Sequence, residues 1–116
     1  MSRARATPAA RLDPAAAASL FAALGDSTRL AVLVRLARAG PGSIAQLSAE
    51  AAVSRQAVSK HLRVLSDAGL VAGLRQGREH VWALQPRRFD EARAYLDRVA
   101  REWDDALLRL KHFVER

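Results

Sequence analysis

Apolar residues recur along this chain in short blocks with helical spacing, and capping residues bracket most blocks. Asp13 followed by Pro14 supplies an N-cap acceptor and a residue pre-set for a first helical turn. A first helix is therefore expected over about Pro14–Leu24, with Leu20, Phe21 and Leu24 inward and Gly25 at its end. Asp26, Ser27 and Thr28 offer a second cap, and Leu30, Leu33, Val34 and Ala37 predict a second helix to about Ala39. Gly40-Pro41-Gly42 breaks the pattern. Ser43 then caps a short helix, about Ile44–Ala51, in which Ile44, Leu47 and Ala51 share a face. After the connection Ala52-Val53, Ser54 caps a fourth helix, about Arg55–Ala68, stopped by Gly69. Its apolar face is Ala57, Val58, Leu62 and Leu65; its other face is Arg55, Gln56, Ser59, Lys60 and Arg63.

The pattern then changes period. Leu70–Arg75 and Glu79–Leu84 are strand-like runs around the turn Gln76-Gly77-Arg78, which predicts a β-hairpin. Trp82 alternates with His80 and Leu84 on one strand face, as expected if the hairpin packs on the fourth helix. Pro86 opens a last helix that reaches about Glu115. Phe89, Leu96, Trp103 and Leu110 repeat every seven residues, and Ala92, Val99, Ala106 and Phe113 repeat three residues later. This is an a/d seam over four heptads. Such a helix is about 45 Å long at ~1.5 Å per residue. Tyr95, Leu107 and Val114 widen its apolar face. A small domain has nowhere to bury it, so pairing with a second copy is expected, together with the first helix. Leu20, Phe89, Leu96, Val99, Trp103, Leu110 and Phe113 are the expected interface residues. The alternative is a long helix folded back on its own domain, which a break within it would also fit.

Composition narrows the chemistry. With 116 residues, half hydrophobic and 27% charged, the chain has the size and make-up of one globular domain. A formal charge of +7 favours a polyanionic partner, although charge alone does not separate DNA, RNA and a membrane surface. Only Lys60 and Lys111 are lysines; the remaining cations are arginines, whose planar fork suits phosphate. The absence of cysteine excludes disulfides, thiolate metal sites and a cysteine nucleophile from this chain. Arg3, Arg5 and Arg11 ahead of Ala15–Leu24 imitate a targeting peptide, but Asp13-Pro14 interrupts the pattern and Leu20, Phe21 and Leu24 are needed for a core. The reading is a flexible basic arm over 1–12 and a single domain over 13–116 of a cytoplasmic protein that does not enter a membrane. No apolar run approaches the ~20 residues of a spanning helix.

The order helix, helix, helix-turn-helix, hairpin, helix gives a mainly α fold with a small β-hairpin wing: a winged helix-turn-helix dimerising through its first and last helices. The helix-turn-helix occupies 43–68, the wing 70–84 and the dimerisation helix 86–115. A helix in the major groove needs outward donors. Gln56 matches adenine and Arg55 matches guanine in bidentate geometry. Ser54, Ser59, Lys60 and Arg63 suit phosphates near a helix N-terminus, and Arg75 and Arg78 flank the wing tip. Arg29 is placed to pair with Asp26 or to meet a phosphate, and His61 to pack or to touch a phosphate. Catalysis finds no support: Ser59 and His61 stand two apart on one helix and diverge, and no Gly-rich phosphate loop or metal cluster is present.

Three stretches resemble the ArsR/SmtB family. Phe21-Ala22-Ala23-Leu24-Gly25-Asp26-Ser27-Thr28-Arg29-Leu30 is similar to its opening signature. Ser54–Leu65 with Asp67-Ala68-Gly69-Leu70-Val71 is similar to its recognition helix and wing entry, and Arg75-Gln76-Gly77-Arg78-Glu79 to its wing turn. The resemblance implies a sequence-specific, homodimeric transcriptional regulator, usually a repressor on an inverted-repeat operator. The alternative is a winged-helix module for sequence-neutral DNA binding or protein contacts. The family's Cys-x-Cys metal site falls on Ile44–Glu50, where no thiolate stands. A second family site, on the last helix, is matched only by His112 and Glu115, which is too few ligands. No metal and no cofactor is therefore expected. Glu102-Trp103-Asp104 and Leu107-x-x-Leu110-Lys111 resemble a metal-independent branch, which implies an organic effector of unknown identity or none. Trp103 is read as an interface residue, with a place in an effector pocket as the alternative.

Overall fold

The computed structural model describes residues 12–116. In chain order the elements are α1 (Pro14–Leu24), α2 (Ser27–Ala39), α3 (Ile44–Ala51), α4 (Arg55–Asp67), β1 (Val71–Gln76), β2 (Glu79–Leu84) and α5 (Pro86–Val114). The fold is mainly α-helical with one antiparallel hairpin, the winged helix-turn-helix arrangement. The basic arm with Arg3, Arg5 and Arg11 lies outside the described residues; Leu12 is buried against the core.

Local chemistry sets the helix starts. The Asp13 carboxylate accepts from the Ala16 N–H at 2.7 Å, and the Asp26 carboxylate accepts from the Arg29 N–H at 3.0 Å. Ser43 and Gln46 form a reciprocal capping box on α3, with bonds of 3.2 and 2.9 Å. Ser54 Oγ accepts from the Ala57 N–H at 3.1 Å and starts α4. The α3–α4 turn carries Ala52 in the left-handed region at φ 56°, a conformation that strains a residue with a Cβ. The Ser48 hydroxyl donates to the Val53 carbonyl and closes this turn.

The core lies where α1, α2, α3 and α4 converge on the base of the wing. Leu20, Leu47, Val58, Leu62, Leu65 and Leu70 are its fully buried side chains. On α2 the buried residues are Val32, Leu33 and Leu36, whereas Leu30 and Val34 are 49% and 40% exposed and Ala37 is exposed. This corrects the expected face. The run Leu30–Leu36 contains two overlapping helical stripes, and contacts with α1, α3 and α4 select the one centred on Val32, Leu33 and Leu36.

The hairpin pairs Val71 with Leu84 through Gln76 with Glu79. Gln76 therefore belongs to the strand, and the loop is the two residues Gly77 and Arg78, with Gly77 at φ 63°. The wing docks on more than α4: β1 packs on α4, while β2 packs on α2. Trp82 exchanges two backbone hydrogen bonds with Gly42, of 3.0 and 2.8 Å, which pins β2 to the loop before α3.

The first half of α5 returns to the core and the second half leaves it. Ala92 is buried, Phe89 and Tyr95 are partly buried, and the Tyr95 ring lies 5.9 Å from that of Phe21 on α1. Arg88 donates to the Ala68 carbonyl at 3.0 Å, which ties α5 to the end of α4, and to the buried Glu91 of its own helix at 2.6 Å. From residue 100 onward every side chain is exposed. The helix is unbroken over its 29 residues and its outer half covers nothing in its own domain, so the folded-back alternative does not hold. Leu20 also needs correction as an interface residue: at 1% exposure inside its own core, it has no surface to give a partner.

Replacing Ser43 with Ala removes one side of the capping box while leaving α4 untouched. Urea unfolding is expected to show a loss of about 1 kcal/mol.

Candidate nucleic-acid interface

Helix α4 is held by one face and free on the other. Val58, Leu62 and Leu65 point into the core, and Ser54, Arg55, Gln56, Ser59, Lys60 and Arg63 are all exposed. The spacing of Arg55, Gln56, Ser59, Lys60 and Arg63 puts them on one stripe. Five of these residues, Ser54, Arg55, Gln56, Ser59 and Lys60, border a single shallow concavity at the start of the helix. No acidic side chain stands in the first turn, so the positive end of the helix faces outward unopposed. Arg75 and Arg78 are exposed on the wing, Arg78 within the turn and Arg75 across the ladder from His80.

His61 does not belong to the outward stripe. It sits on the flank of α4 that meets α2, with Nδ1 3.4 Å from the Arg29 guanidinium and 3.9 Å from the Asp26 carboxylate. Arg29, expected to pair with Asp26 or meet a phosphate, instead grips the end of α1. Its Nε donates to the Ala23 carbonyl at 2.7 Å, and a terminal nitrogen donates to the Ala22 carbonyl at 3.3 Å. The Arg29 backbone N–H holds the Asp26 carboxyl below its ordinary value near 3.8, with the charges of Arg29 and His61 acting in the same direction.

Two more internal ties escaped the sequence reading. Arg35 bonds Glu50 on α3 at 2.7 Å and also the Gly40 carbonyl, and Arg88 holds the buried Glu91. Both arginines read as solvated charge in a linear pattern because their targets are main-chain carbonyls or distant acids. The spacing of Arg87 and Arg88 to Glu91 was the one available signal. At the interface between elements, His80 is exposed and its ring lies 5.1 Å from that of Trp82. Among the described residues no three His, Asp or Glu side chains gather as a metal-binding group, and His112 and Glu115 are exposed at the end of α5.

A short helix, a tight turn, a second helix with a polar outer stripe and a basic hairpin define a winged helix-turn-helix of the DNA-binding class. A helix-turn-helix domain family matches residues 24–73. The HTH-type transcriptional regulator Rv2034 of Mycobacterium tuberculosis is 42% identical over 73% of this chain and 76% of its own length. The solved structure of an ArsR-like transcriptional regulator from Rhodococcus sp. RHA1 superposes with a TM-score of 0.77 at 38% identity, covering 85% of this chain and 92% of that one. The homodimeric winged helix-turn-helix DNA-binding domain Mb0332 from Mycobacterium bovis gives a TM-score of 0.60 at 26% identity, covering 79% and 84%. The chain belongs to the ArsR/SmtB family of winged helix-turn-helix transcriptional regulators, and its function is DNA-binding regulation of transcription.

The depressed Asp26 carboxyl has a defined effect on stability. A group whose folded pKa is lowered stabilises the fold above its ordinary value, and that contribution is lost as the pH falls through the folded value. Between about pH 5 and pH 2 the melting temperature is expected to fall more steeply for the native chain than for Asp26→Asn, which keeps the cap without the titration. Parallel curves for the two proteins would contradict this assignment.

Proposed function

We propose that the chain acts as a homodimeric repressor that occupies an inverted-repeat operator. The observation that carries this reading is the division of α4 into a buried apolar face and an exposed polar stripe with no competing acid in its first turn. In this reading Gln56 and Arg55 contact base edges, and Ser54, Ser59, Lys60 and Arg63 contact phosphates. Arg75 and Arg78 extend the wing along the backbone or into a narrow minor groove. The domain spans 13–116 with a basic arm before it, and the protein works in the cytoplasm. Among the described residues no single helix is long and apolar enough to cross a membrane.

The dimer contact is the outer half of α5. Leu96, Trp103, Leu107, Leu110 and Phe113 are each more than half exposed in the single chain, a stripe that a second copy of the same helix would cover. Phe89 and Val99, which are partly buried, would border that contact. An effector bound near these helices would release DNA only by preferring one spacing of the two recognition helices over another.

Selection from random duplex DNA at fixed salt tests the operator. An inverted repeat with half-site centres about 34 Å apart is the expected outcome. Salt-sensitive binding without a motif would instead support a sequence-neutral module. On the selected site, Gln56→Ala is expected to relax preference at one base pair by about 1–3 kcal/mol, whereas Lys60→Ala weakens all duplexes alike and lowers the salt slope by about one.

Trp103→Glu is expected to convert the dimer to a folded monomer in sedimentation, with helical content unchanged by circular dichroism. A dimer that survives this substitution would remove the α5 contact from the account.

A further inference from the structure

Most of what fastens α4 to the rest of the protein is apolar; besides the Arg88 bond to the Ala68 carbonyl at its end, the cluster Asp26, Arg29 and His61 holds it by polar contacts. It sits where the end of α1, the start of α2 and the flank of α4 meet. Arg29 is fixed there by its bonds to the Ala22 and Ala23 carbonyls. Asp26 is fixed by its role as the cap of α2, and the same oxygen that accepts the Arg29 N–H at 3.0 Å is the one 3.9 Å from His61 Nδ1. The His61 ring belongs to the helix that carries the outward stripe.

We propose that these three residues form a positioning brace for the recognition helix, with two settings governed by the proton on His61. The proposal rests on the reading of α4 as the DNA-contacting helix. A neutral ring accepts at Nδ1 from the Arg29 guanidinium, across the 3.4 Å contact. A protonated ring carries N–H at both nitrogens, cannot accept, and is repelled by Arg29 while attracted to Asp26. Arg29 is anchored to α1, so the ring moves instead. Closing 3.9 Å to an ordinary N–H···O length of about 2.9 Å draws the ring by about 1 Å toward the α2 cap. A shift of that size on the flank of α4 re-aims Arg55, Gln56 and Ser59.

Other charges near α4 do not supply this contact. Helix α1 has no titratable side chain, and on α2 Arg35 is engaged with Glu50 of α3, while Arg38 is exposed in the last turn. Lys60, Arg63 and Asp67 of α4 itself are exposed, and so is Arg75 of β1. Asp26 and Arg29 are the two charged partners that reach the His61 ring among the described residues.

The test measures binding to the selected operator and to a scrambled duplex from pH 8 to pH 5.5. Simple addition of a positive charge on protonation would strengthen both alike. The brace instead changes their ratio, by about fivefold or more in the native chain. His61→Gln keeps an acceptor for Arg29 without the titration, and Asp26→Asn keeps the cap without the charge; both are expected to flatten the ratio. His80 and His112 remain in both variants, so a ratio that still varies with pH in them, or a flat ratio in the native chain, overturns the proposal. A second readout needs no DNA. In the free protein, amide resonances from Ser54 to Arg63 are expected to shift together with the His61 ring titration, and shifts confined to the immediate neighbours of His61 would overturn it. If no operator is selected but the amides move together, the reading of DNA specificity fails and the brace stands.

Discussion

The structure depends on how α4 is anchored. Val58, Leu62 and Leu65 are essentially without solvent exposure, and they occupy one stripe of a helix whose opposite stripe is wholly exposed. Burying three such side chains contributes several kcal/mol, about 1.5–3 for each. That attachment lets the helix offer its polar groups outward without losing its place. The remaining elements serve this seat. Helices α1, α2 and α3 form its walls, and the hairpin closes its end through Leu70 and Val71. Gly42 and Trp82 tie the far strand to the loop that precedes α3. The wing and the recognition helix are therefore held by one core.

Helix α5 has the opposite balance. It enters the core through Phe89, Ala92 and Tyr95 and is clamped there by Arg88 and the buried Glu91. Its second half projects Trp103, Leu110 and Phe113 into solvent at 57–67% exposure. Large apolar side chains on a regular seam are costly to leave in water, and a single chain of this size has no further core to offer. The outer half of α5 and the polar stripe of α4 are thereby joined through α1, which touches both helices.

Much of this was legible in the linear pattern. Helix boundaries followed Asp13, Asp26, Ser43 and Ser54 because cap chemistry is local, and each of these side chains makes the bond its position implied. The polar stripe of α4 was legible because its heptad-scale contrast is sharp. The buried face of α2 was not: its apolar run supports two stripes, and only packing against its neighbours, α1, α3, α4 and β2, decides between them. Leu20 was placed both inward and at the dimer interface for the same reason, since periodicity identifies an apolar face but not which neighbour covers it. The roles of Arg29, Arg35 and Arg88 were hidden because a guanidinium that caps a distant helix end has the same sequence signature as one in solvent. The Gly42–Trp82 bridge joins positions forty residues apart and leaves no local trace.

In the proposed dimer, two copies joined along α5 present their recognition helices at the spacing of successive major grooves. The chain contains no cysteine, so Asp67→Cys, at the exposed end of α4, gives a single spin-label site per copy. The distance between labels in the DNA-bound protein reports how the two helices are held relative to each other. A single narrow distribution, as two helices fixed about 34 Å apart at their centres require, is the predicted result. Absence of dipolar coupling, or a featureless spread of distances, would contradict the account.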